Sequence, residues 1–182
     1  MATEKLVVVS GRAEASAVSD ANETVASLFR DERLGLLRLA TLLVFDRNLA
    51  EDIVQDAFIG LYRRWDRLVD QSRAVSYLRS SVINGARTAH RRHATLVKHL
   101  RVGDPTDGAS ADVSALLAGE HQEVIAAVRA LPPRQREVVI LRYWLDLSER
   151  DIASTLGVKP GTVKSTAARA LVALERTLET QT

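Results

Sequence analysis

The 182-residue chain contains no cysteine. That excludes disulfides, thiolate metal ligands and cysteine nucleophiles, and it suits a reducing compartment. Aromatic residues are only 4% of the sequence, so a core must be built from Leu, Val, Ile and Ala, which the 46% hydrophobic content supplies. The early apolar run "LVVV" at 6–9 is too short for a signal peptide or a membrane span. No stretch of any length carries a strand signal, and there is neither a repeat nor a low-complexity tract. A glycine-rich phosphate loop and a nucleophile–base constellation are also missing, so neither enzymatic chemistry nor a cofactor is expected.

What the sequence does contain is helical periodicity. Residues 1–24, rich in Ala, Ser, Glu and Asp without a sustained period, read as a flexible N-terminal extension. From Val25 onward, Leu28, Phe29, Leu36, Leu39, Ala40 and Leu43 form one stripe. Asp46 and Asn48 then offer caps for a second helix whose apolar face is Ile53, Val54, Ala57, Phe58, Leu61, Tyr62 and Trp65. Glu51, Asp52, Gln55 and Asp56 lie near the N-terminus of that helix, where acids suit the dipole. They lack the partners of catalytic acids and read as a polar surface for a binding partner. "DRLVDQSRA" reads as a loop, and a third long helix follows it. Gly, Pro, Asp and Ser cluster in "RVGDPTDGASA", 101–111, the best linker. The expected fold is all-α: two small helical domains, 25–100 and 112–182, joined by a flexible linker, the second ending in a helix-turn-helix.

Net charge of +2 conceals a strong asymmetry. Residues 71–103 hold seven Lys or Arg and no acid, whereas the flanking segments carry more acids than bases. Such concentrated charge points to a polyanion partner. Tyr77 opens this basic helix just after a loop, where an aromatic ring could stack on an unpaired base or pack in the core. His90, His93 and His99 lie in the same stretch, but without a nearby carboxylate and with Arg91 and Arg92 between them no metal site is expected.

"LSERDIASTLGVKPGTVKS" at 147–165 has the grammar of a helix-turn-helix. Ser148 can cap the first helix, with Asp151 as the acidic half of a capping box. Gly157 can end that helix in the left-handed conformation. Pro160 suits the first turn of the next, and Val163 falls where it can pack on Ile152 and Leu156. The second helix offers Thr162, Lys164, Ser165 and Arg169, with no acid between Gly157 and Leu174. Side chains of these types can bind phosphates or base edges in a major groove.

"AEDIVQDAFIGLYRRW", then "VINGARTAHRR", "LPPRQREVVILRYW" and "GTVKSTAARAL" together resemble the extracytoplasmic-function sigma factors of bacterial RNA polymerase, in their actinobacterial sigma-E-like branch. The resemblance spans about residues 25–178. It implies that the chain binds core RNA polymerase through the β′ clamp and β flap, recognises minus-thirty-five and minus-ten promoter elements, and initiates transcription in the cytoplasm, at the nucleoid. It implies polymerase contacts from Asp52, Gln55, Asp56 and Trp65, and capture of a flipped base by the loop at 66–74. It further implies minus-ten contacts from Tyr77, Arg79, Asn84, Arg87, Thr88, Arg91 and Arg92. Minus-thirty-five contacts fall to Thr162, Lys164, Ser165 and Arg169. An anti-sigma factor is a further partner that the resemblance suggests, and two DNA faces on a flexible linker raise the expectation that packing of the domains covers the helix-turn-helix. The alternative is a stand-alone helix-turn-helix regulator, which leaves the acidic–aromatic and basic helices without a role.

Overall fold

The computed structural model describes the backbone of residues 3–68, 70–100 and 122–180, and side chains within 22–95 and 122–180. The linker at 101–111 and the helix start expected near Asp112 lie outside these residues. The described residues are all-α, as expected, and none of their helices is long and apolar enough to cross a membrane.

The first unit is three helices: α1 (Thr3–Val44), α2 (Arg47–Arg64) and α3 (Ala74–Leu100). Helix α1 begins at Thr3, far ahead of the expected start near Val25. Residues 3–24 contain no proline, one glycine and many Ala and Glu, so the backbone continues as helix although no apolar stripe is present. Val25 does mark a real boundary. Residues 22–24 are exposed, and Val25 and Leu28 pack against the core.

Asp46 caps α2 by accepting a hydrogen bond from the Leu49 N–H at 3.0 Å. The expected apolar face of α2 is buried except for Tyr62, which is exposed. Phe29 meets Phe58 edge-to-face at 4.9 Å between centroids, tying α1 to α2. Two short 3-10 turns, Trp65–Arg67 and Gln71–Arg73, form the loop before α3.

The second unit contains α4 (Gln122–Ala130), α5 (Pro133–Val139), α6 (Glu149–Leu156) and α7 (Pro160–Glu179). Helix α5 runs into a π-turn at Ile140–Trp144, where the Leu145 N–H donates to the Ile140 carbonyl. The helix-turn-helix grammar is realised closely. Ser148 Oγ accepts from the Asp151 N–H at 3.1 Å, and Gly157 closes α6 with φ 66°. Val163, Ile152 and Leu156 are buried together.

The two units pack against each other, and their buried side chains form one continuous cluster. Phe45, between α1 and α2, adopts φ 54°, a left-handed conformation that a bulky residue rarely takes. Two guanidinium groups of the second unit lie over its buried ring, Arg129 at 5.2 Å and Arg136 at 5.3 Å from the centroid. Arg136 also donates to the carbonyls of Leu43, Arg129 and Leu131. Burial, and then the neighbouring Arg129, lower its pKa from the ordinary guanidinium value.

Candidate nucleic-acid interface

Helix α3 supplies the basic face. Asn84, Arg91 and Arg92 are exposed, while Arg79, Arg87 and Thr88 are half-buried. Thr88 Oγ1 donates to the Asn84 carbonyl at 2.9 Å and accepts from Arg91 Nη2 at 3.1 Å. Arg87 Nη1 donates to Asn84 Oδ1 at 3.3 Å. Hydrogen bonds one turn apart thus link Asn84, Arg87, Thr88 and Arg91 into one polar network.

Asp52 and Asp56 face this network from α2. Together with Asn84, Thr88 and Arg92 they line a groove of about 490 Å³ between the two helices. Residues expected to serve two different partners therefore form opposite walls of one groove. Gln55 is exposed on the same helix. Trp65 is different: at 6% exposure it belongs to the core. Its large apolar ring, on the same stripe as Phe58 and Leu61, is driven inward. Tyr77 also packs against the core, with its hydroxyl accepting from Arg64 Nη1 at 3.4 Å. Between the two readings of this ring, core packing is the one its position favours.

The loop before α3 is internally braced. Asp70 Oδ1 accepts from the Ser72 N–H at 3.0 Å and from Ser72 Oγ at 2.5 Å, and Arg73 pairs with Asp70 Oδ2 at 3.2 Å. These interactions, the Ser72 hydroxyl foremost, lower the Asp70 pKa below its ordinary value. Asp70, Arg73 and Tyr77 line one side of a cavity of about 550 Å³, whose other side is Ser154 and Thr155 of α6.

His90 Nε2 donates to the Leu43 carbonyl at 2.9 Å, which makes it a bridge from α3 to the end of α1. Among the described residues no group of three or more metal-ligating side chains comes together. The side chain of His99 lies outside them.

On α7, Thr162, Lys164, Ser165 and Arg169 are all exposed. Ser165 Oγ donates to the Thr162 carbonyl at 3.2 Å, and Arg169 Nε to the Ser165 carbonyl at 3.3 Å. Packing of the two units leaves this face open, contrary to the expectation that the helix-turn-helix would be covered. What the packing engages is part of α3, through Ser80 and Arg87.

The residues that sequence reasoning missed lie at that contact. Glu137, 4% exposed, accepts from Arg87 through both carboxylate oxygens, Nε to Oε1 at 2.6 Å and Nη2 to Oε2 at 2.7 Å. Arg134 Nη1 joins them at 2.9 Å from Oε2. Ser80 Oγ donates to the Thr155 carbonyl at 3.3 Å. The only hint in the sequence was an acid at the head of the apolar run "VVIL".

An amide-bearing basic helix on one unit and an exposed recognition helix on the other define a helical protein built to meet DNA at two places. Residues 28–95 match the sigma-70 region 2 family and residues 121–174 match sigma-70 region 4. The RNA polymerase sigma-E factor of Streptomyces avermitilis is 37% identical over 155 residues, 84% of this chain and 83% of the relative. The ECF RNA polymerase sigma factor SigM of Mycobacterium tuberculosis is 33% identical over 152 residues, 83% of this chain and 75% of the relative. CnrH, solved in complex with the cytosolic domain of CnrY, shares the fold at TM-score 0.69 and 20% identity, covering 92% of this chain and 96% of that one. The sigma factor RpoE of Bartonella quintana, solved with the anti-sigma factor NepR, does so at TM-score 0.63 and 24% identity, covering 80% and 91%. The chain belongs to the extracytoplasmic-function group of the sigma-70 family.

Proposed function

We propose a division of labour among the helices of this sigma factor. As an alternative sigma factor the chain binds core RNA polymerase and promoter DNA and initiates transcription. Asp52, Gln55 and Asp56 of α2 dock on the β′ clamp, and the second unit engages the β flap. Asn84 and Thr88 contact bases of the minus-ten element as they leave the stack, while Arg79, Arg87, Arg91 and Arg92 hold phosphates. The braced loop at 66–74 receives a flipped base. Thr162, Lys164, Ser165 and Arg169 dock α7 on the minus-thirty-five duplex. The protein works without catalytic chemistry of its own, inside the cell and at the nucleoid. An anti-sigma factor is a fitting regulator, since the Bartonella relative was solved with one.

The observation that carries this reading is the groove in which Asp52 and Asp56 face Asn84, Thr88 and Arg92. An acidic wall repels phosphate and suits a protein partner, whereas the amide and guanidinium wall suits DNA. A stand-alone operator-binding regulator would have no use for this groove. The test is co-elution with core polymerase: wild type should co-elute, and Asp56→Arg should lose core affinity while keeping minus-thirty-five duplex binding. Unchanged core affinity of Asp56→Arg would remove α2 from the polymerase contact.

A further inference from the structure

The fold needs glycine at some positions and not at others. Gly157 closes α6 with φ 66°, and a side chain on Gly85 would collide with Ile53 Cγ2 at 2.8 Å. Gly161 answers to neither reason. It lies in the first turn of α7, its φ is outside the left-handed region, and a Cβ built on it meets nothing within 4 Å. Glycine there weakens the helix relative to alanine, because it leaves the unfolded chain more backbone freedom to lose. Gly35 in α1 is also open, but it lies outside both DNA-facing helices.

Position 161 points away from the body of the second unit. Val163, Thr166 and Ala170 form the buried side of α7. Gly161, Ser165 and Ala168 follow one another at spacings of four and three on the opposite side, all exposed. Lys164 and Ser165, one turn further on, are the neighbours of Gly161 along the helix surface. Arg169 folds back toward them, with Nε donating to the Ser165 carbonyl at 3.3 Å. No acid occurs between Gly157 and Leu174 to oppose a phosphate. The bare first turn thus opens onto the surface that carries Lys164, Ser165 and Arg169, and no described residue fills it.

We infer that Gly161 is a close-approach residue for promoter DNA: the first turn of α7 lies so near the minus-thirty-five duplex that even a methyl side chain would hold the recognition helix away. The inference rests on the docking of α7 proposed above. Gly161 itself reads no base. It is a positioning residue for Lys164, Ser165 and Arg169, whose reach into the groove is set by how closely the helix approaches the duplex. The sequence gives up some helix stability for that approach.

A side chain at 161 should act on stability and on binding with opposite signs, and the test reads both. Full-length wild type, Gly161→Ala, Gly161→Leu and Arg169→Ala are each combined with core polymerase, with the chain in saturating excess. Promoter DNA is first selected from genomic fragments by the wild-type holoenzyme. Gly161→Ala should raise the melting temperature of the chain, yet raise the Kd of the holoenzyme for this DNA roughly tenfold, as overpacking at a closed contact does. Gly161→Leu should weaken binding further, in step with side-chain size, without lowering the melting temperature. Wild-type affinity of both Gly161 variants, beside a weakened Arg169→Ala, would overturn the close approach alone. A melting temperature lowered by Gly161→Ala would also overturn it, because the fold would then need the glycine. Wild-type affinity of Arg169→Ala would bring down the docking of α7 and the inference with it.

Discussion

Gly85 on α3 meets Ile53 on α2 with no space for a side chain between them. A Cβ built on Gly85 would stand 2.8 Å from Ile53 Cγ2 and 3.4 Å from Cγ1. Ile53 is β-branched and buried, so its methyl cannot swing aside cheaply. Alanine would ordinarily gain about 1 kcal/mol over glycine inside a helix. Here overpacking outweighs that gain, and Gly85→Ala should destabilise the chain by about 1–3 kcal/mol. Chemical denaturation would measure this. The double variant with Ile53→Ala should lose less than the sum of the single losses.

Trp65 and Asp56, both read from the sequence as polymerase contacts, should fail in different ways. Trp65→Ala removes a buried ring and should cost about 3–5 kcal/mol of stability. Asp56 is exposed. Asp56→Arg should leave the melting temperature unchanged and lower core affinity roughly tenfold. Calorimetry paired with a core pull-down separates the two effects.

The two DNA-facing helices should also separate. Arg169→Ala should weaken minus-thirty-five binding by about 1–3 kcal/mol, and a pre-melted bubble should not rescue it. Asn84→Ala should leave initial docking intact and slow strand opening, because it acts on bases already unpaired. Permanganate reactivity over time, on duplex and pre-melted promoters, reports both.

Asp70 braces the loop before α3, for which base capture is proposed, through Ser72 and Arg73. Its pKa lies below the ordinary value of 3.8, so the brace is complete above that value and is lost only as pH falls through the lower folded value. Between about pH 6 and about pH 8, where carboxylates stay ionised, the loop should contribute no pH dependence to strand opening. Asp70→Ala should slow opening across that whole range. A defect of Asp70→Ala confined to acid pH would contradict the assignment.

Much of this was legible in the sequence because it is local. Caps at Asp46 and Ser148, the left-handed Gly157, and the stripe from Ile53 to Trp65 follow from spacing and residue type alone. The direction of Trp65 and Tyr77 was harder, since an aromatic ring suits both a core and a partner, and tertiary packing decides. Helix α1 extends to Thr3 because backbone propensity needs no packed stripe, whereas periodicity detects only packed stripes. The pairing of Arg87 with Glu137 joins residues 50 positions apart, and no local pattern records such a contact. The same holds for Phe45 with Arg129 and Arg136.

The most direct measurement is genome-wide run-off transcription. Core polymerase with and without the purified chain would transcribe fragmented genomic DNA from the source organism, and RNA 5′ ends would be sequenced. A sigma factor predicts new start sites that appear only with the chain and share two upstream motifs at fixed spacing. Arg169→Ala should reduce initiation at these sites on duplex DNA, and Asn84→Ala should reduce it there but less on pre-melted templates. Identical 5′ ends with and without the chain would contradict the account.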